Sequence, residues 1–201
     1  MSSRIGVDIG GTFTDFIVYD ENDNKVIIDK IPTTPADPEK AVVEVIKRNL
    51  TREQLSKIDF FLHGTTVGLN ALLERKGSKV GLLCTKGFRD IIEIRRGDRD
   101  EMYNLFWQPP PPLVPRYLRL EIEERLFANG DIHTNLNSED VKKACEYLNK
   151  EGVNSVAIAF MNAYSNKQHE LTAKKILLEN GFNGEVSLSS LVSGEYREYE
   201  R

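Results

Sequence analysis

The chain opens on an apolar run interrupted by one acid, Ile5-Gly6-Val7-Asp8-Ile9. Gly10-Gly11-Thr12 follow, then Phe13-Thr14-Asp15-Phe16-Ile17-Val18-Tyr19, a polar turn from Asp20 through Asn22 to Asn24, and Val26-Ile27-Ile28. Short apolar runs bounded by turn residues predict an antiparallel meander of three strands. Helical texture begins at Asp37-Pro38, a cap residue followed by proline, with Ala41, Val42, Val45 and Ile46 on one face. A buried-looking strand is predicted from Ile58 to Leu62, a helix from about Thr66 to Arg75 ended by Gly77, and a strand from Lys79 to Cys84. The first hundred residues thus read βββαβαβ.

The middle of the chain is different. Arg89 to Arg99 is crowded with charge, and Trp107-Gln108 leads into Pro109-Pro110-Pro111-Pro112 and then Pro115. Consecutive prolines exclude helix and central strand, so this segment is predicted to be a stiff extended connector. A ligand for an aromatic-grooved adaptor is the alternative. Beyond it, Arg119 to Leu126 alternates like a strand, and Ser138-Glu139-Asp140 caps a helix whose Val141, Ala144, Cys145 and Leu148 share a face. Val153 to Phe160 reads as a buried strand, Ser165 to Glu179 as another helix, and Val186 to Leu188 as a short strand. This second βαβαβ pattern suits a mostly parallel sheet with crossover helices. The expected division is 1–105, a connector at 106–118, and 119–201.

Composition narrows the class. The chain has 201 residues, 40% hydrophobic and 29% charged, which suits one or two globular domains. A net charge of -4 disfavours nucleic acid as a main partner. No apolar run approaches the ~18 residues that span a bilayer, and Met1 to Arg4 leads into strand pattern without a secretory h-region. No membrane and a cytoplasmic location are expected. Cys84 and Cys145 have no companions at metal-ligand spacing and read as core residues. His133 and His169 likewise suggest no metal site.

Two segments carry candidate chemistry. In the segment Asp8 to Asp15, an acid within an apolar strand is costly unless a metal, water or ligand satisfies it. Paired glycines bring backbone N–H groups close to an anion, and Thr12 and Thr14 add hydroxyls. A plain glycine hairpin with Asp8 held locally is the alternative. Neither a P-loop nor a dinucleotide fingerprint fits, because no Gly-Lys-Ser/Thr follows and the next element is a strand. The second segment is His63-Gly64-Thr65-Thr66-Val67-Gly68-Leu69-Asn70, where strand gives way to helix and free N–H groups would face an anion or carbonyl oxygen. A simple threonine cap and a core histidine are the alternatives there. Together the segments place glycine-threonine turns at neighbouring strand ends, where such sheets bind ligands.

Ile5 to Asp15 resembles the opening of the hydantoinase/oxoprolinase family, and His63 to Arg75 (HGTTVGLNALLER) resembles its second hallmark. Gly87-Phe88-Arg89-Asp90, the stretch at 110–116, Glu151-Gly152-Val153 and Arg197 to Arg201 are similar too, in the family's order. The resemblance implies a ribonuclease H-like, actin/sugar-kinase-type α/β ATPase lobe with a mixed sheet. It implies ATP-dependent phosphorylation of a carbonyl or enol oxygen, leading to cyclic-amide hydrolysis of the hydantoin or 5-oxoproline type or to ketone carboxylation. By this resemblance Gly10, Gly11, Thr12, Phe13 and Thr14 would cradle ATP phosphates, Asp8 would hold Mg2+, and Asp15 would assist catalysis or be structural. His63, Gly64, Thr65, Thr66 and Asn70 would line the substrate end. Leu69 stands where the family has a small polar residue, commonly threonine, which leaves substrate choice open. Asn162 to Asn166 departs from the family's Leu-Asn-Pro form.

Implied partners are a hydantoinase B-like companion subunit and a C-terminal lobe. A sugar or carboxylate kinase of the same superfold and a non-catalytic nucleotide- or partner-binding module are the other classes. Arg89 to Arg99 is either a solvated loop face or a source of cations for phosphate. Glu195 to Arg201 reads as a charged helix without a C-cap glycine, within what the resemblance makes continuing sequence. Half an active site, inactive alone, is the expectation.

Overall fold

The computed structural model describes residues 3–21, 23–34 and 37–201, so Asn22 of the expected turn lies outside them. The chain forms two compact units, Met1–Gly77 and Ser78–Arg201.

In the first unit, β1 (Ser3–Ile9) pairs antiparallel with β2 (Phe13–Asp20), which pairs antiparallel with β3 (Lys25–Pro32). The predicted meander is therefore present. On the other side of β1 lies β4 (Ile58–Thr65), in parallel, giving the order β3-β2-β1-β4 and a mixed sheet. One face carries Ile5, Val7, Ile9, Phe16, Val18 and Ile31, all buried with Ala41 and Val45 of α1 (Pro38–Asn49). Pro38 opens α1 as expected, but the Asp37 side chain makes no capping bond. A short α2 (Arg52–Leu55), which the sequence reading missed, is held by a Thr51–Gln54 capping box. The last helix of this unit, α3 (Val67–Leu73), buries none of its residues.

The opposite face of this sheet is open. Alternation sends every second side chain there, and the register aligns them in rows. One row is Ile28–Ile17–Gly6–Leu62 and the next is Lys30–Asp15–Asp8–Gly64. A Cβ on Gly6 would lie 2.9 Å from Ile17 Cγ2, so any larger residue there would have to displace the Ile17 side chain.

In the second unit β5 (Val80–Thr85) is flanked by β6 (Arg119–Ile122) and β9 (Ser155–Ala159), with β10 (Glu185–Leu188) beyond β9. All three pairings are parallel, as the βαβαβ reading predicts. The sequence reading places the strand at 79–84 with the first lobe; the structure makes it a central strand of the second sheet. Its run Gly81 to Thr85 is buried throughout, which requires cover on both faces. A short α4 (Ile91–Ile94) follows β5, and between β6 and β9 come a two-stranded ribbon, β7 (Arg125–Leu126) and β8 (Ile132–Thr134), and α5 (Ser138–Lys150). Asn137 caps α5, its side chain accepting from the N–H groups of Glu139 and Asp140. The crossover from β9 to β10 is α6 (Gln168–Glu179). Cys84 and Cys145 are both buried and free, as read from the sequence. Glu195 to Arg201 forms turns rather than the expected helix. The Arg201 guanidinium donates to the Phe160 and Glu195 carbonyls.

Candidate functional site

The hairpin between β1 and β2 is the centre of the candidate site. The Gly10 N–H donates to the Phe13 carbonyl at 2.9 Å, closing the turn. The Thr33 N–H donates to the Thr12 carbonyl at 2.9 Å, and the Thr33 hydroxyl donates to the Gly10 carbonyl at 2.9 Å. Among the described residues the N–H groups of Gly11 and Thr12 have no hydrogen-bond partner, and both residues are exposed. Backbone donors left free at an exposed glycine turn are what an anion needs.

The second segment abuts this hairpin. The Thr66 N–H donates to the Ile9 carbonyl at 3.3 Å, which fixes the β4–α3 junction to the end of β1. Thr66 occupies the cap position of α3 without a side-chain cap, and the Thr65 hydroxyl instead accepts from the Val67 N–H at 3.2 Å. Asn70 donates to the Thr66 hydroxyl at 3.2 Å, and a Cβ on Gly11 would lie only 3.1 Å from Asn70 Nδ2. Gly11, Thr66 and Asn70 are thus brought together from sequence positions far apart.

Three predicted residues lie elsewhere than expected. Asp8 is exposed, not enclosed, because its position on β1 points to the open face; no burial cost attends it. Among the described residues its carboxylate has no hydrogen bond or ion pair, and Gly64 sits beside it, where a Cβ would be 3.3 Å from Asp8 Oδ1. Thr14 is fully buried on the helix-covered face, its hydroxyl 3.0 Å from that of Thr33. His63 pairs with Val7, so alternation directs its ring to the face opposite Asp8. Phe13 stays half exposed at the start of β2. Asp15 pairs across the sheet with Asp8 and forms an ion pair with Lys30 at 3.0 Å. Gly6, Asp8, Asp15, Ile17, Leu62 and Gly64 line an open depression of about 410 Å³.

Lys30 and Thr33 were missed by the sequence reading. The only signal for either is the β2–β3 register, which period-two pattern does not supply.

Much of the charged stretch of the second unit is paired internally, although Arg95 Nη1 is buried without a hydrogen-bond partner among the described residues. Arg95 pairs with Asp98 at 3.0 Å, Arg96 donates to Glu200 at 2.7 Å, and Asp90 accepts two bonds from Arg116 at 2.9 and 3.0 Å. The Arg116 bonds hold the Asp90 carboxyl below the usual carboxylate range, and Arg96 does the same for Glu200. Among the described residues no group of three metal-ligating side chains occurs, and no helix is long and apolar enough to cross a membrane.

A mixed sheet with a β1–β2 glycine hairpin, joined to a parallel strand whose end meets the hairpin, is the architecture of an actin-like ATPase lobe. Comparison with known proteins agrees. The model of the hydantoinase/oxoprolinase N-terminal region matches residues 4–181, and the chain belongs to that family. It is 40% identical over 178 residues to the caprolactamase subunit alpha of Pseudomonas jessenii, covering 85% of this chain and 25% of that protein. It is 33% identical to the acetophenone carboxylase gamma subunit of Aromatoleum aromaticum, covering 99% and 30%. The crystal structure of the ATP-dependent caprolactamase from Pseudomonas jessenii superposes with a TM-score of 0.84 at 35% identity, covering 98% of this chain and 29% of that one. The chain therefore spans only 25% to 30% of the length of these relatives.

Proposed function

We propose that this chain is the phosphate-binding lobe of an ATP-dependent enzyme that phosphorylates the carbonyl or enol oxygen of a small cyclic amide or ketone. The observation that carries the reading is the pair of unbonded N–H groups at Gly11 and Thr12, next to the unpaired Asp8 carboxylate. The residues suit the ligand. Gly10 and Gly11 carry no Cβ to obstruct phosphate oxygens, and an exposed carboxylate without a partner suits Mg2+, which takes one or two carboxylates plus phosphate oxygens and water.

Asp8 would hold the metal, and Gly10, Gly11 and Thr12 would bind the phosphates, with Phe13 flanking them. Thr14 and Thr33, joined through their hydroxyls, hold the turn in shape from beneath. Asn70, with Thr66, would border the phosphate and substrate end, and Gly64 and Thr65 would form its wall, with the His63 ring directed to the other face of the sheet. Bound Mg·ATP would supply the phosphoryl group, and transfer of this kind depends on positioning and charge neutralisation. Water opens a ring amide activated in this way, whereas an activated ketone is ready for carboxylation. The relatives' names, one a lactamase and one a carboxylase, support both outcomes. A C-terminal lobe and a hydantoinase B-like subunit would complete the site, in keeping with relatives that are named as subunits.

Isothermal titration of the purified protein with Mg·ATP tests the reading, paired with nucleotide-dependent turnover of 5-oxoproline, hydantoin and glucose. Binding that Asp8→Asn abolishes is the expected result for this chain, with turnover of a cyclic amide once the C-terminal lobe and companion subunit are supplied. Glucose phosphorylation would favour the sugar-kinase class instead, and a folded protein without nucleotide affinity would overturn the proposal.

A further inference from the structure

The two acids of the open face differ in their surroundings, and the difference divides their labour. We infer that Asp15 is a positioning residue for Lys30, whose ammonium is the cation offered to a bound phosphate, and that Asp8 alone is left for the metal. This assignment rests on the phosphate-site reading above.

Lys30, Asp15, Asp8 and Gly64 form one row across the four strands. Two carboxylates placed directly opposite on neighbouring strands repel each other. Only one is neutralised: Lys30 Nζ lies 3.0 Å from Asp15 Oδ1 and 3.4 Å from Oδ2. The same ammonium sits 5.1 Å from the centroid of the Phe13 ring. Asp15 and Phe13 together hold it at the end of β2, immediately after the free N–H groups of Gly11 and Thr12. The lysine and aspartate side chains remain 54% and 53% exposed, so the ammonium, a three-proton donor, keeps donors facing solvent. As a second metal ligand Asp15 would share its carboxylate between the cation and Lys30, weakening its hold on the lysine. As the anchor of Lys30 it leaves a row of net charge -1, from Asp8, Asp15 and Lys30, which a divalent cation converts to +1. That sign suits a polyphosphate.

A double-mutant cycle on Mg·ATP binding, read by titration calorimetry, tests the assignment. Lys30→Met is expected to weaken binding about tenfold, as for the loss of one charge-assisted hydrogen bond, and to flatten its salt dependence. Lys30→Arg should restore most of the affinity. Asp15→Asn is expected to weaken binding about threefold in the wild-type background, as an exposed ion pair allows. In the Lys30→Met background it should do nothing further, and the Mg2+ concentration for half-saturation should not move. Equal losses from Asp15→Asn in both backgrounds, or a shift in Mg2+ demand, would make Asp15 a metal ligand and overturn the assignment. Affinity unchanged by Lys30→Met overturns it as well while leaving the phosphate site standing. A folded wild-type protein that binds no Mg·ATP overturns the site and the assignment together. Unchanged thermal melts show that each variant is folded.

Discussion

The two units solve the same packing problem in opposite ways. The second unit buries its central strand from Gly81 to Thr85, with Leu82, Leu83 and Cys84 inside a core that includes Leu148, Ile158, Phe160 and Leu177. It also encloses polar groups and pairs them. Glu170 is fully buried, and its carboxylate accepts from the Phe160 and Ser190 N–H groups and from both the Ser189 and Ser190 hydroxyls. Buried Glu124 accepts from the Thr85 hydroxyl and contacts His169 Nδ1 at 2.7 Å. The first unit covers one sheet face with α1 and leaves the other bare, with Ile28 75% and Leu62 62% exposed. What it leaves unpaired, the Asp8 carboxylate and two backbone N–H groups, is what a ligand can use. Where buried carboxylates are paired internally, as at Glu170 and Glu124, structure is the result; where polar groups are left free at the surface, chemistry is available.

Mutations that attack the closed core should produce the largest effects. Phe160→Ala is expected to destabilise the second unit by about 4 kcal/mol, measured by urea unfolding, because its ring is fully buried. Glu170→Ala should cost about 3 kcal/mol, since two N–H donors and two hydroxyls lose their acceptor together. A loss below 1 kcal/mol in either case would erase the contrast between the units.

Titration sharpens the contrast from another side. Burial pushes the Cys84 thiol up from 9.0 to about 12. An unfolded thiol therefore ionises before the folded one, and stability falls as pH rises from about 9 towards 12. Iodoacetamide at pH 9.5 should label Cys84 slowly in the native protein and rapidly in urea. Asp90 and Glu200 act in the other direction. Their depressed values contribute stability above the unfolded carboxylate range, lost as pH falls through the depressed values.

Changes on the open face should be milder. Gly11→Ala is expected to cost under ~1 kcal/mol of stability yet to displace the Asn70 amide, visible as a shift of its side-chain NMR resonances. Ile28→Thr should change stability by less than ~0.5 kcal/mol in the same urea assay, since its side chain already faces water.

Much of the fold was legible because periodicity reports burial. The meander, the proline-started helix, the parallel βαβαβ segment and the two core cysteines all follow from local pattern. Partner choice was less legible. Val80–Thr85 reads as the last strand of the first lobe, and nothing in its six residues says which sheet completes it. The site was visible as two motifs, though not as a geometry. Thr14 and Asp15 are neighbours in sequence, but alternation sends one into the core and the other to the open face. His63 and Gly64 divide in the same way, so that Gly64 rather than His63 lies beside Asp8. Lys30 and Thr33 are invisible without the register that brings them to Asp15 and Gly10.

By itself the sequence determined which segments are strands and helices, where the glycine-threonine turns fall, and which family the motifs resemble. Each of these depends on residues within a few positions of one another. Only the tertiary structure decided which face of the first sheet is open, which acid is left unpaired, and which lysine neutralises the other. Those outcomes depend on register and on where α1 packs, both set by contacts between residues distant along the chain.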